Sequence, residues 1–192
     1  MISSIILAAG ESKRFGEPKQ LYRIGKDSLI EIVLKLTMDF FDEIIVVLGH
    51  ENEKILPFIN GDKIKVVINY NYRKGMSESL KIGGRYLSES TSHFAIFLVD
   101  MPFIKKTTIK TLIQHLNKRR REIVAPFYKG KRGFPVFFSR DFLKDLKEIA
   151  GDKGARDIIR ANLEFLQMIN VDDPGVVIDI DTKKDIKFFK FS

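Results

Sequence analysis

The chain has 192 residues, 44% of them hydrophobic, and its 33 Lys and Arg against 25 Asp and Glu give a formal net charge of +8. That length suffices for one well-packed core and falls short of two, so a single domain over residues 1–192 is expected. The absence of cysteine excludes disulfides, thiolate catalysis and Cys-ligated metal sites, and three histidines without metal-ligand spacing argue against a His-built one; with no apolar run of 18 residues and no secretory leader, a cytoplasmic location without membrane association is expected.

Residues 2–7 are apolar and β-branched and read as a buried strand. Directly after it, Leu7-Ala8-Ala9-Gly10-Glu11-Ser12-Lys13-Arg14-Phe15-Gly16-Glu17-Pro18-Lys19 carries two glycines, a proline and three cations. Such a stretch reads as a loop for an anion: Gly10 and Gly16 free the backbone and let amides approach a ligand, Arg14 and Lys19 supply charge-assisted hydrogen bonds to phosphate oxygens, and the small Ala8 and Ala9 leave room for a flat group. Asp27 or Ser28 caps a helix to residue 38, and 43–48 is a second buried strand. Gly49 and His50 turn into a short helix ending near 57–58, and a third strand follows at 64–68. The polar, aromatic segment 69–76 precedes a helix over 77–87. The most hydrophobic strand, 94–99, is expected at the centre of the sheet and ends at Asp100, a carboxylate that must be paired or metal-bound there unless it caps the helix starting near 105.

That helix is expected to reach 118, and the run Lys118-Arg119-Arg120-Arg121 reads as its solvated end, since cations favour helix C-termini. With the remaining positive charge spread along the chain, no nucleic-acid partner is expected. Residues 123–126 and 135–138 read as strands joined by a glycine- and cation-rich hairpin, so the sheet turns antiparallel here. Short helices at 141–149 and 155–161 flank Gly151-Asp152-Lys153-Gly154-Ala155-Arg156. An edge strand follows at 164–170, then a short strand at 176–180, and Thr182 caps a last helix with Asp185 at capping-box spacing. Strands alternating with helices imply a Rossmann-like, three-layer α/β/α fold, with a mostly parallel sheet of about seven strands, one of them antiparallel, and the site along its C-terminal edge.

The opening stretch fits neither GxxxxGK[ST] nor GxGxxG. Running on to Leu21 it reads LAAGxSxRxGxxKxL, which resembles the signature of the nucleotidyltransferases that make activated sugars and cofactor dinucleotides, and within them the molybdenum cofactor cytidylyltransferase and guanylyltransferase group. Four further stretches resemble the same group. Gly75-Met76-Ser77-Glu78-Ser79-Leu80 looks like its nucleotide-holding segment, which together with Leu7, Ala8, Ala9 and Gly10 implies nucleotide contacts from Gly75 and Ser79; Ser77 is a cap or a ligand contact. Asp100-Met101-Pro102 looks like its metal motif and implies that Asp100 holds Mg²⁺ or Mn²⁺ between phosphates. Gly133-Phe134-Pro135-Val136-Phe137-Phe138 resembles the strand lining its acceptor side, with Pro135 either a contact or an edge marker. Gly151 to Arg156 and Asp179-Ile180-Asp181-Thr182 are similar to segments of the cytidylyltransferase branch, implying acceptor contacts from Asp152 and Arg156, unless Arg156 is only a surface residue, and a second metal carboxylate. Strand alternation would put Asp179 and Asp181 on one side, with Asp179 preferred.

The resemblance thus implies catalysis by Arg14, Lys19 and Asp100, and transfer of CMP from CTP to the phosphate of a pterin cofactor with release of pyrophosphate. Hand-over to a molybdoenzyme or its chaperone would follow. GTP as donor, a sugar or polyol phosphate as acceptor, and a regulatory nucleotide-binding module are the competing readings. Lys183-Lys184 stands where the branch carries Pro-Glu.

Overall fold

The computed structural model describes residues 1–117 and 121–185. The chain runs through β1 (Ile2–Ala8), β2 (Arg23–Ile24), β3 (Asp27–Ser28), α1 (Leu29–Met38), β4 (Glu43–Leu48), α2 (Asn52–Ile55), β5 (Ile64–Ile68), α3 (Met76–Arg85), β6 (His93–Leu98), α4 (Lys106–Gln114), β7 (Ile123–Tyr128), β8 (Lys131–Arg132), β9 (Val136–Ser139), α5 (Leu143–Glu148), α6 (Arg156–Ala161) and β10 (Leu166–Asn170). Seven strands make a sheet in the order β10-β7-β9-β6-β1-β4-β5, and the short β8 adds an eighth by pairing with β7. β1, β4, β5 and β6 are mutually parallel, as are β7 and β10, whereas β9 runs antiparallel to both of its neighbours and β8 to β7.

Alternation along β1 divides the core into two layers. Ile6 and Ala8 face the side covered by α1, α2 and α4, while Ile5 and Leu7 face the side covered by α3, α5 and α6. β4 is buried at all six positions, which explains its unbroken EIIVVL run. α1 starts where expected, with Ser28 and Glu31 forming a capping box.

Three expectations are corrected. α4 ends at Gln114, short of 118; Lys118, Arg119 and Arg120 of the basic run lie outside the described residues, and Arg121 packs on the Phe142 ring and bonds Asp145. Residues 176–180 are no strand: a 3-10 turn occupies Pro174–Val177, and the chain then runs irregularly. Buried Asp173 dictates this. Its carboxylate accepts from Gly175 N at 2.9 Å and from Lys105 N and Thr108 Oγ1 at 2.8 and 2.6 Å, tying the turn to the start of α4. The apolar pattern of 176–180 was a burial signal, and its backbone bonds go elsewhere: Phe134 N donates to Val176 O and Ile180 N to Asp100 O. The N-cap of α4 is Lys105, with no side-chain cap hydrogen bond, so Asp100 is not a helix cap. Among the described residues no helix is long and apolar enough to cross a membrane.

Candidate active site

The chain crosses from β5 at one edge to β6 on the far side of β1, so the strand order reverses between β1 and β6. Their C-terminal ends open into a cleft of about 720 Å³. Ligands bind in such sheets at this switch point.

One wall is the loop after β1. Phe15 anchors it in the core, edge-on to Tyr22 at 5.1 Å between ring centres. The left-handed backbone positions are Ser12 (φ 54°) and Gly16 (φ 81°), the latter free of any Cβ penalty, and not Gly10. A Cβ on Gly10 would meet nothing within 4 Å, so the protein itself leaves that space clear. A residue that the sequence motifs did not single out shapes this wall. Gln20, 1% exposed, donates from Nε2 to the carbonyls of Ala8 (2.8 Å) and Gly10 (3.3 Å), and its Oε1 faces Ser12 Oγ at 3.4 Å. Because C=O and the following N–H oppose each other across a trans peptide, holding these two carbonyls turns the Ala9 and Glu11 amides away from Gln20. The signal for it was weak: one polar residue between Lys19 and Leu21, where a 3-10 turn buries its side chain.

Lys19, on that turn, donates from Nζ to Asp100 Oδ2 at 2.6 Å and to Ile180 O at 3.4 Å, and lies 3.6 Å from Asp181 Oδ1. Arg14 reaches Asp181 Oδ2 at 2.8 Å. The loop's cations are thereby held over the carboxylates at the end of β6. Asp181 is brought there by the Ile180 bond to Asp100, and Asp185 fixes its turn by accepting from Asp181 N and Thr182 N. Asp179 stands outside the cleft lining between half-buried Ile178 and buried Ile180; the residue is exposed but its carboxyl is partly buried, and this burial, with the nearby charges of Asp181 and Asp100, raises its pKa. With 176–180 not a strand, alternation no longer relates it to Asp181. The Oδ1 atom of Asp100 is buried without a hydrogen-bond partner. Such an oxygen suits a hard cation, and Mg²⁺ commonly takes one or two carboxylates together with substrate phosphates. Among the described residues no group of three or more acidic, His or Cys side chains forms a protein-only metal cage.

The facing wall is the N-terminus of α3. Gly75 adopts φ 104°, and a Cβ there would sit 2.5 Å from Gly151 O, because residues 151–152 dock against it. Asp152 Oδ1 accepts from Met76 N at 3.1 Å and Gly151 O from Ser77 N at 3.1 Å, so Asp152 supplies the α3 cap from another part of the chain. Ser77 therefore does not cap; its Oγ is buried without a partner. Ser79 lines the cleft. Arg73 Nε reaches Glu11 Oε1 at 3.1 Å, joining the two lips.

The cleft thus gathers Leu7, Ala8, Ala9, Gly10, Arg14, Lys19, Gly75, Ser79, Asp100, Asp152 and Asp181, and leaves Pro135, Arg156 and Asp179 outside its lining. Pro135 is buried at the entry to β9. Arg156 begins α6, and burial and the charges of Arg156 and Arg160 lower the pKa of Arg132. None of these three arginines makes an ion pair among the described residues.

A cleft of this make places the protein among the open α/β folds that take phosphorylated ligands at the sheet edge. Residues 4–166 match the model of the MobA-like NTP transferase domain, and the chain belongs to that family. It is 25% identical over 191 residues to the nicotine blue oxidoreductase of Paenarthrobacter nicotinovorans, covering 94% of this chain and 92% of that one. To a probable molybdenum cofactor guanylyltransferase of Natranaerobius thermophilus it is 33% identical over 132 residues, 67% of this chain and 62% of the other. The molybdenum cofactor cytidylyltransferase of Escherichia coli is 24% identical over 185 residues, 96% and 93% of the two chains. Among solved structures, Rv0371c from Mycobacterium tuberculosis superposes with a TM-score of 0.87 at 25% identity, covering 100% of this chain and 98% of that one. A manganese complex of Rv0371c gives 0.84 at 24% identity, covering 97% and 96%.

Proposed function

We propose that the chain is a divalent-metal-dependent nucleotidyltransferase that moves CMP from CTP to the phosphate of the molybdenum cofactor, releasing pyrophosphate. The observation that carries the reading is the opposition, across one cleft, of a loop of amides and cations and a carboxylate with one buried oxygen free. Asp100 and Asp181 would hold Mg²⁺ or Mn²⁺, with Asp179 as an outer partner; a cation bound there neutralises phosphate charge. The loop amides and Lys19 hold the triphosphate, and Arg14 closes over it. An oxygen of the acceptor phosphate bonds to the α-phosphorus as the α-phosphorus bond to the oxygen shared with the β-phosphate breaks, and pyrophosphate leaves with that electron pair. The attacking oxygen is already ionised, so the step needs no base; orientation and charge stabilisation suffice.

The acceptor assignment draws on relatives named for molybdenum cofactor transfer and on the mutually close cations Arg132, Arg156 and Arg160, which make no ion pair among the described residues and suit an anionic acceptor. The choice of CTP draws on the Gly151 to Arg156 and Asp179 to Thr182 resemblances. Ala9 contributes less to it than its size suggests, since its methyl group packs toward Gly49 and is 6% exposed. The guanylyl reading is favoured by two relatives so named, at 33% and 29% identity. Pyrophosphate release measured with purified protein, the pterin cofactor, Mg²⁺ and each of CTP, GTP, ATP and UTP decides among them. CTP preference is expected. GTP preference moves the donor, turnover only with a sugar or polyol phosphate moves the acceptor, and binding without turnover of any triphosphate leaves a regulatory module.

A further inference from the structure

Asn69 follows β5 and is fully buried, and its side-chain amide has two ends with fixed roles. The backbone N–H of Asn71 donates to Oδ1 at 2.9 Å. A backbone N–H can only donate, so the amide oxygen faces Asn71 and the NH₂ faces Ser79, to whose Oγ it donates at 2.9 Å. The Ser79 hydroxyl has one proton of its own, and the Asn69 nitrogen cannot accept it. Among the described residues no acceptor takes that proton, while Ser79 is 4% exposed and lines the cleft.

We propose that Asn69 is a positioning residue that fixes Ser79 as a hydrogen-bond donor to the bound ligand, so that the atom read there is an acceptor: a carbonyl oxygen or unprotonated ring nitrogen of the nucleobase. This rests on the nucleotidyltransferase reading for the identity of the ligand. The two residues sit on different elements, the turn after β5 and the second turn of α3, so the direction of one proton is set by the packing of helix against sheet.

Asn69→Asp separates this role from a structural one. Its Oδ1 still accepts from Asn71 N–H at nearly unchanged volume, but its second oxygen is an acceptor, so the Ser79 proton turns toward it and the cleft is offered only lone pairs. With pyrophosphate release as readout, KM for the preferred triphosphate should rise about tenfold, the scale of one neutral hydrogen bond, with kcat within about threefold. Ser79→Ala should match it, and the double variant should be no worse than Ser79→Ala alone. Lowering the pH until the introduced carboxyl is protonated restores a donor to Ser79, so the defect of Asn69→Asp should shrink where that of Ser79→Ala does not. An unchanged KM in Asn69→Asp, additive losses in the double variant, or a pH-independent defect overturns the proposal. If Asn69→Asp does not fold, Ser79→Cys, a weaker donor of similar size, takes its place, and an unchanged KM again overturns it. Should wild-type protein release no pyrophosphate from any triphosphate, the nucleotidyltransferase reading fails, and calorimetric Kd values of the four triphosphates with Mg²⁺ give the same comparison of variants.

Discussion

Lys19 and Arg14 carry the same charge in unlike surroundings. The Lys19 side chain is 14% exposed and set between Asp100, Asp181 and a carbonyl, whereas that of Arg14 is 72% exposed and meets one carboxylate. A contact screened from water is worth more, so Lys19→Ala and Arg14→Ala should each remove about 2–4 kcal/mol of transition-state stabilisation, Lys19 at the upper end. Lys19→Ala should also lower unfolding free energy by about 1–2 kcal/mol, because it strips a partly buried carboxylate of its partner. Steady-state kinetics and urea melts check both; equal turnover in the two variants and wild type would remove the loop from catalysis. Asp179 behaves in the opposite sense. Its pKa is raised above the ordinary 3.8, first by burial and then by Asp181 and Asp100. Between that value and the raised one the native protein binds more protons than the unfolded chain, so stability falls as pH rises through the window and the loss persists at neutral pH. Asp179→Asn should therefore hold or raise neutral-pH stability, by no more than about 0.5 kcal/mol at so exposed a position, while weakening metal-dependent turnover. A drop in melting temperature would contradict this account.

At the scale of elements, the loop after β1 works because a second element grips it. Gln20→Leu keeps the volume but releases the Ala8 and Gly10 carbonyls, which should cost about 1–3 kcal/mol in stability and raise KM for the triphosphate. Gly10→Ala reverses that pattern: its Cβ would meet no protein atom within 4 Å, so melting should be unchanged while the methyl group obstructs the ligand. Parallel measurements of melting and KM on the two variants separate shaping the loop from touching the ligand. The loop was legible in the sequence because its chemistry is local: glycines, cations and a proline directly after an apolar strand. Gln20 and Asp173 were not, since one polar residue in a buried turn has no period or spacing to mark it. The supposed strand at 176–180 failed for a related reason. Apolar residues report burial, and only the partners of their backbone groups, here Asp100 and Phe134, tell a strand from a turn. Strand 43–48 and helix 29–38 had length and capping to add to burial, and both formed as expected.

Across the whole molecule the sheet divides its polar groups between two ends. At the C-terminal end a buried carboxylate oxygen stands without a partner and the pKa of Asp179 is raised by burial and by the charges of Asp181 and Asp100. At the other end, Glu43 is 5% exposed at the start of β4 and accepts from Lys65 Nζ on β5 (2.7 Å), Ser3 Oγ on β1 (3.0 Å) and Ser88 N beyond α3 (3.1 Å). Burial alone would raise its pKa, but these three partners outweigh burial and hold it below the ordinary 4.5. Glu11, Asp27, Glu31, Glu51 and Asp185 are lowered as well, so among the described carboxylates with a resolved shift only Asp179, beside the cleft, is raised. For a lowered carboxyl the unfolded chain binds the proton first as pH falls. The stability contributed by Glu43 is thus complete above about pH 4.5 and is lost as pH drops through its folded value. Glu43→Gln should cost about 1–3 kcal/mol at pH 7 by weakening three bonds at once. It should also flatten the fall in stability below pH 4.5, since the variant has no proton to gain there. Urea unfolding of both proteins from pH 3 to pH 7 tests this. Parallel curves, equally steep in acid, would show that Glu43 is not the clasp joining β1, β4 and β5.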